Sequence, residues 1–531
     1  MTSRRLRDAA RAAGSAGRGG AAPVARARIH APAPGTRVAA LALAAALALA
    51  ACGGSGGTAD PAPVPKEAVT IDLPFARLQA GTPVALDLRR ASPRLAAAAA
   101  TAAAWRVSLS PAQSGLSTDG PIVRGTAGSP GTIVATVTAT DAAGAETIDT
   151  VTMVAVRTRT SGEPALPSPP IDYLAEPLPL HFTDPFWPET PIALADNSVP
   201  ANAPTNAGIA LGRVLFHDTR LSGDDTVSCA SCHIQAFGFS DPSVRSEGIG
   251  GQKSLRHSMS LTNLRYYKGG RMFWDERAGT LEAQALSPIT SPVEMNQDLD
   301  ALVAELQAIP TYPPLFAAAF GTPTIDTSRI ARALAQFQRA LVSHHSRFDL
   351  ALIGDGSVGA APDFATHLSV EEIRGMALFQ PVPATTLQSV GLPPIESVGC
   401  SNCHRTAIQI GRAADGDPGV ANVGLDAVVT DPGTSGAGDF KAPSLRNVEV
   451  TAPYMHDGRF GTLEEVVRFF ATGVHDTPQT SALLREDLDP AKPVKRHALS
   501  DADVAALVAF LKSLTDRAFL EDPRFSDPFP R

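Results

Sequence analysis

Two runs of the form Cys-x-x-Cys-His carry the most specific chemistry in the chain: Cys229, Cys232 and His233 in one, Cys400, Cys403 and His404 in the other. Thiols spaced by one helical turn can each form a thioether to a vinyl group of the same porphyrin, and the adjacent imidazole then lies beneath the iron. Paired cysteines also serve zinc and thioredoxin-like redox centres. A zinc site needs four ligands where each run offers three, and a redox pair expects a βαβ context that the flanks lack. Two covalently bound haem c groups, with His233 and His404 as proximal ligands, use every functional residue of both runs. The fifth cysteine is Cys52, so no pair is left over for a structural disulfide.

The elements that must position these runs are distributed along 531 residues, of which 44% are hydrophobic, enough for several globular domains. The formal net charge of −8 excludes a basic nucleic-acid footprint. The first 51 residues read as a signal peptide: an Arg-rich leader enters an apolar run from Val38 to Ala51, too short to span a membrane. The stretch Leu49 to Cys52 resembles a bacterial lipoprotein box, with Cys52 the lipidated residue, residues 52–66 a tether, and a lipid anchor the expected membrane contact. Gly53 after the anchor suggests a periplasm-facing protein of the outer membrane.

Residues 67–157 alternate with period two between Gly, Pro, Asp and Ser clusters, which predicts a small antiparallel sandwich of immunoglobulin-like type. Within it, "RLAAAAATAAA" is compatible with a helical insert or a loop. A Pro-rich linker follows at 158–180, and beyond it the periodicity becomes helical. Ile330, Leu334, Phe337 and Leu341 form one stripe of a helix expected from Thr327 to Ser343, and Ser369 with Glu372 makes a capping-box pattern. "GRVLF" at Gly212 and "GMALF" at Gly375 each precede one Cys-x-x-Cys-His run, an internal repeat. The expected architecture is therefore a β-sandwich followed by two mainly α-helical cytochrome c-type haem domains, at 181–350 and 351–520.

Four stretches in order, "LGRVLFHDTRLSGDDTVSCASCH", "FWDERAGTLEAQALSPITSPVEM", "FKAPSLRNV" and "TAPYMHDGRFGTLEEVV", resemble the bacterial di-haem cytochrome c peroxidase family, which includes the MauG-type enzymes. The resemblance spans about residues 190–520. It implies that Trp274 lies between the haems, that Gln284 and Glu294 line a peroxide pocket at the N-terminal haem, and that Arg446 meets a haem propionate or the domain interface. A carboxylate at Glu294 would take a proton from hydrogen peroxide and deliver it to the departing oxygen. The family also implies a calcium between the domains, held by the carbonyls of Thr451 and Pro453.

Three positions depart from the family pattern. Where relatives place a distal His that must leave before peroxide binds, this chain has Ile249, so the first haem is expected to be open when oxidised. His257 replaces a calcium-binding Asn and is a poor ligand for a hard cation. At the C-terminal haem the usual Met or Tyr ligand is replaced by Phe470, leaving that haem open or dependent on a residue such as Met455 or His475. His456 matches a family His with a structural role, and His344 with His345 is expected to be solvated.

The reading is a di-haem peroxidase that reduces hydrogen peroxide with electrons from a small c-type cytochrome or cupredoxin docking near the C-terminal haem. The alternatives are a MauG-like oxidase of a protein substrate, which Phe470 disfavours, and a non-catalytic electron-transfer lipoprotein. A surface binding protein whose sandwich is the working part is a third.

Overall fold

A computed structural model of the chain describes residues 69–70, 75–80, 83–110, 115–127, 131–157, 162–183, 192–357, 360–411 and 419–529. The expected signal peptide, Cys52 and the tether lie outside the described residues. Among the described residues no helix is long and apolar enough to cross a membrane.

The period-two region forms two four-stranded sheets. One has the order β1 (Val69–Thr70), β3 (Pro83–Asp87), β6 (Ile122–Thr126), β5 (Leu116–Asp119). The other has the order β2 (Phe75–Ala80), β8 (Glu146–Arg157), β7 (Gly131–Asp141), β4 (Ala102–Ser110). Leu86 and Val123 of the first sheet share one buried cluster with Val107, Ile133, Val137 and Val151 of the second. The antiparallel expectation fails at two edges, because β1 runs parallel to β3 and β2 parallel to β8. Alternation specifies which face a side chain takes and is silent on strand direction. The undecided Ala-rich run resolves into a helix, Pro93–Ala98, which Ser92 caps by accepting from the Leu95 amide at 3.1 Å, followed directly by β4.

Beyond the linker the chain is mainly helical, and its two lobes repeat one packing solution. Helix Asn206–His217 crosses Thr327–Ala340, and helix Val370–Phe379 crosses Asp501–Ser513. A Cβ on Gly212 would lie 2.0 Å from the Ala333 carbonyl oxygen, and one on Gly375 would lie 1.9 Å from that of Ala506. Only glycine allows either crossing, which is why the repeat retains it. The stripe of Ile330, Leu334, Phe337 and Leu341 is fully buried, although the helix ends at Ala340 rather than Ser343. Ser369 and Glu372 form the expected capping box.

The two cores exchange chain segments. Phe519, Leu520 and Phe525 from the C-terminal end join the core built on Val214, Phe216 and Phe337. Phe182, Tyr266 and Tyr267 join the one built on Phe379, Leu507 and Phe510. Arg213 Nε donates to the Ser526 carbonyl at 2.7 Å, and Gln235 Nε2 donates to the carbonyls of Phe519 and Asp522.

Asp349 anchors the second core from a fully buried position. Its Oδ1 accepts from Arg446 Nη2 at 2.6 Å and lies 2.9 Å from His181 Nε2, while Oδ2 accepts from the Ser346 amide at 2.9 Å. Burial opposes ionisation of Asp349, but the Arg446 guanidinium and the His181 and Ser346 hydrogen bonds override it, and the pKa falls to about 2. A carboxyl depressed on folding adds stability above its unfolded pKa, and that contribution disappears as pH falls. Chemical denaturation is therefore expected to show a loss of roughly 2 kcal/mol between about pH 4 and pH 2 that Asp349→Asn lacks. At neutral pH the same variant is expected to cost about 3–5 kcal/mol, since it removes the carboxylate in direct contact with the buried Arg446 guanidinium.

Candidate functional site

Both Cys-x-x-Cys-His runs wind as single helical turns. The His233 amide donates to the Cys229 carbonyl at 2.9 Å, and the His404 amide to that of Cys400 at 3.1 Å. Each imidazole is then fixed through its Nδ1. His233 Nδ1 lies 2.8 Å from the Phe239 carbonyl oxygen, and His404 Nδ1 lies 3.1 Å from that of Pro443. A carbonyl oxygen can only accept, so the Nδ1 facing it must be the donor, and both rings keep the Nε2 lone pair for a metal. Burial pushes both imidazole pKa values down, so the rings are neutral and the lone pairs available.

The runs wall two separate cavities. Cys229, Cys232 and His233 line one of about 740 Å³, and Cys400, Cys403 and His404 line one of about 580 Å³. Both volumes fall in the range of about 300–1,000 Å³ that holds a cofactor-sized ligand. Burial pushes the Cys229 and Cys400 thiols up to about 12, so no thiolate charge has to be accommodated there. Among the described cysteines none is in a disulfide. Attachment thiols, a free imidazole lone pair and a cavity of fitting size thus occur together twice, and the residues fit a haem c in each cavity.

The first cavity also holds Gln284 and Glu294. Gln284 projects from helix Leu281–Thr290, and its Oε1 is buried without a hydrogen-bond partner, an acceptor left open to a ligand. Glu294 follows in the turn after that helix. Burial raises its carboxyl pKa above the ordinary value, and Arg277 pulls part of the shift back. The loop containing Ile249 leans on this turn, and the Ile249 amide donates to the Glu294 carbonyl at 2.8 Å. Gly248 allows the approach, because a Cβ there would sit 2.1 Å from the Val293 carbonyl oxygen.

Trp274 lines both cavities, together with His257, Ser258, Met259, Ser260 and Lys441. Its indole Nε1 donates to the His257 carbonyl at 2.8 Å, and its own carbonyl accepts from the Lys441 amide at 2.8 Å. The His257 ring is committed to its neighbours: Nε2 lies 3.2 Å from Ser240 Oγ and Nδ1 3.1 Å from the Ser243 carbonyl oxygen.

The second cavity contains Met455, Thr451, Pro453, His456 and Phe470, whereas His475 is not part of its lining. Phe470 falls within a π-helical stretch, Phe469–Gly473, a local widening common at functional positions. His456 stacks on Phe440 at 3.7 Å between ring centres. Sequence reasoning missed His497, which lines this cavity and is kept neutral first by burial and then by Lys495. No motif flags it, since it reaches the cavity through the long loop that precedes the last long helix. Arg446 lines neither cavity, its guanidinium being engaged by Asp349, Ser346 and the Ala407 carbonyl.

The di-haem cytochrome c peroxidase family profile matches residues 206–357. The chain is 36% identical to the methylamine utilization protein MauG of Methylorubrum extorquens over 322 residues, which is 59% of this chain and 80% of the relative. It is 30% identical to the cytochrome c551 peroxidase of Nitrosomonas europaea, covering 60% of this chain and 83% of the relative. The crystal structure of a MauG-like protein associated with microbial copper homeostasis superposes with a TM-score of 0.51 at 31% identity, over 63% of this chain and 96% of that one. The pair of haem-fitting cavities and this similarity agree: the chain belongs to the di-haem cytochrome c peroxidase family, whose name implies two haems, and is an oxidoreductase of the cytochrome c peroxidase type.

Proposed function

We propose that the protein reduces hydrogen peroxide in the first cavity, H2O2 + 2 e⁻ + 2 H⁺ → 2 H2O, with electrons entering through the second from a small c-type cytochrome or cupredoxin. The observation that carries this reading is the pairing, in a cavity walled by Cys229, Cys232 and His233, of an unpartnered Gln284 Oε1 with a Glu294 carboxyl of raised pKa. When bound, the haems supply the one-electron steps and an iron to which peroxide adds. Gln284 Oε1 accepts a hydrogen bond from the peroxide O–H and orients it. Glu294 takes the proton of the other peroxide O–H and returns it to the departing oxygen, so that water rather than hydroxide leaves. Ile249 offers no donor atom, so peroxide has no protein ligand to displace at that position. Trp274, bordering both cavities, provides the short protein path between them.

The lobe at 181–350 is then the peroxide-reducing half and the lobe at 351–520 the electron-entry half. Phe470 cannot coordinate, and Met455 and His497 are two donor side chains lining the second cavity that could take its place. The export leader and Cys52 support a periplasm-facing, lipid-anchored protein of the outer membrane. A second reading, oxidation of a protein substrate, is favoured by the 36% identity to MauG. In it electrons come from the substrate's side chains rather than from a donor protein.

The base must be ionised to take the proton, so the rate of reaction with peroxide is expected to fall as pH drops through the Glu294 pKa. Burial places that limb above 4.5, the ordinary value. Stopped-flow mixing of the oxidised holoprotein with peroxide checks this. Glu294→Gln is expected to slow the reaction by about 10²–10⁴ and to remove the limb. An unchanged rate, or two low-spin haems indifferent to peroxide, would favour an electron relay instead. Trp274→Leu is expected to leave the initial reaction with peroxide in place and to slow turnover with reduced donor, read as accumulation of the peroxide-oxidised protein.

A further inference from the structure

Among the described residues, one cluster of metal-ligating side chains lies outside the two cavities. Glu176 of the Pro-rich linker meets His344 and His345 of the turn after helix Thr327–Ala340, with one ligand atom from each residue within 4.8 Å of the others. We propose that Glu176, His344 and His345 form a binding site for one divalent transition-metal ion of the zinc or copper type.

Two imidazoles and a carboxylate are the donor set those ions favour. Glu176 Oε1 lies 2.9 Å from His345 Nε2 and 4.0 Å from His344 Nε2. Movements of less than an ångström would bring all three donors to the roughly 2.0–2.2 Å that such an ion requires. The other carboxylate oxygen is already used, since Arg524 Nη2 lies 3.1 Å from Glu176 Oε2, so the carboxylate is turned with Oε1 towards the imidazoles. His344 was expected in solvent but is only 8% exposed, and its Nδ1 is buried with no hydrogen-bond partner. The nitrogen that faces Glu176 is Nε2, so the ring would meet an ion through Nε2 while Nδ1 carries the proton and points away from the site. Burial, and then the neighbouring His345, hold His344 neutral, the state a ligand needs.

The two imidazoles are presented by a fixed backbone. Asp516, 1% exposed, accepts from the His344 amide at 3.0 Å, the His345 amide at 2.9 Å and Ser343 Oγ at 3.1 Å through one oxygen. His345 remains exposed, which leaves a face open for water or a small ligand in the fourth position. Because the donors and Arg524 come from the linker, the post-helix turn and the C-terminal segment, a bound ion would clip three distant stretches together.

The test uses the haem-loaded protein, stripped with a chelator, incubated with zinc or cupric chloride, desalted, and analysed for metal per iron by elemental mass spectrometry. Wild type is expected to retain one ion for every two irons and to show a higher melting temperature with metal than without. His345→Ala and Glu176→Gln, both at accessible positions, are expected to reduce uptake at least about tenfold and to abolish the thermal shift. Unchanged haem absorbance and an unchanged melting temperature in chelator show that the variants are folded. Uptake equal in wild type and both variants, or no uptake of either metal by wild type, would overturn the proposal.

Discussion

The fixation of Trp274 between two cavities is the constraint on which the rest of the structure turns. The indole hydrogen-bonds to the carbonyl of His257 in the first lobe, and the Trp274 carbonyl is bonded by the Lys441 amide from the second. The next residue, Asp275, pairs with Arg256 at 2.6 Å, and Arg256 also grips Asp431 at 2.7 Å, so one guanidinium bridges both lobes beside the indole. Paired, fork-shaped contacts of this kind fix orientation as well as distance. Neither lobe can shift without moving the residue that both cavities share.

Against that rigid seam the two cavities differ in what they leave unsatisfied. The first retains a bare amide oxygen at Gln284 and a carboxyl at Glu294 whose charge is disfavoured by burial, groups suited to handling protons. The second is walled largely by apolar residues, with Met455 and His497 among its donor side chains. The proposed function uses this difference, with proton chemistry in the first lobe and electron entry in the second, although both are built on the same helix crossing and the same Cys-x-x-Cys-His turn.

The attachment runs, their proximal histidines and the repeated glycines were legible in the sequence because each imposes a local rule: one helical turn between thiols, and no side chain at a close crossing. Gln284, Glu294 and Trp274 carry no such rule, and only their likeness to a family marked them before the cavities showed them together. Strand direction in the β-rich region was not legible, since alternation fixes faces alone. His497 and the partnering of Arg446 with Asp349 were hidden for a different reason, as both depend on contacts between distant stretches of chain. The burial of His344 was likewise set by the linker and by Asp516, neither of which its own helix reveals.

The exchange of segments between the cores has a consequence for how the protein is made. Gln235, two residues beyond His233, is held by the carbonyls of Phe519 and Asp522, and Phe525 seals the same core. The first lobe therefore stays unfinished until residues 519–525 have emerged. A chain synthesised from its N-terminus keeps that core open until then, and contacts of such long sequence separation form late. Until those residues dock, Cys229 borders an unfinished core, and their arrival completes the packing around it.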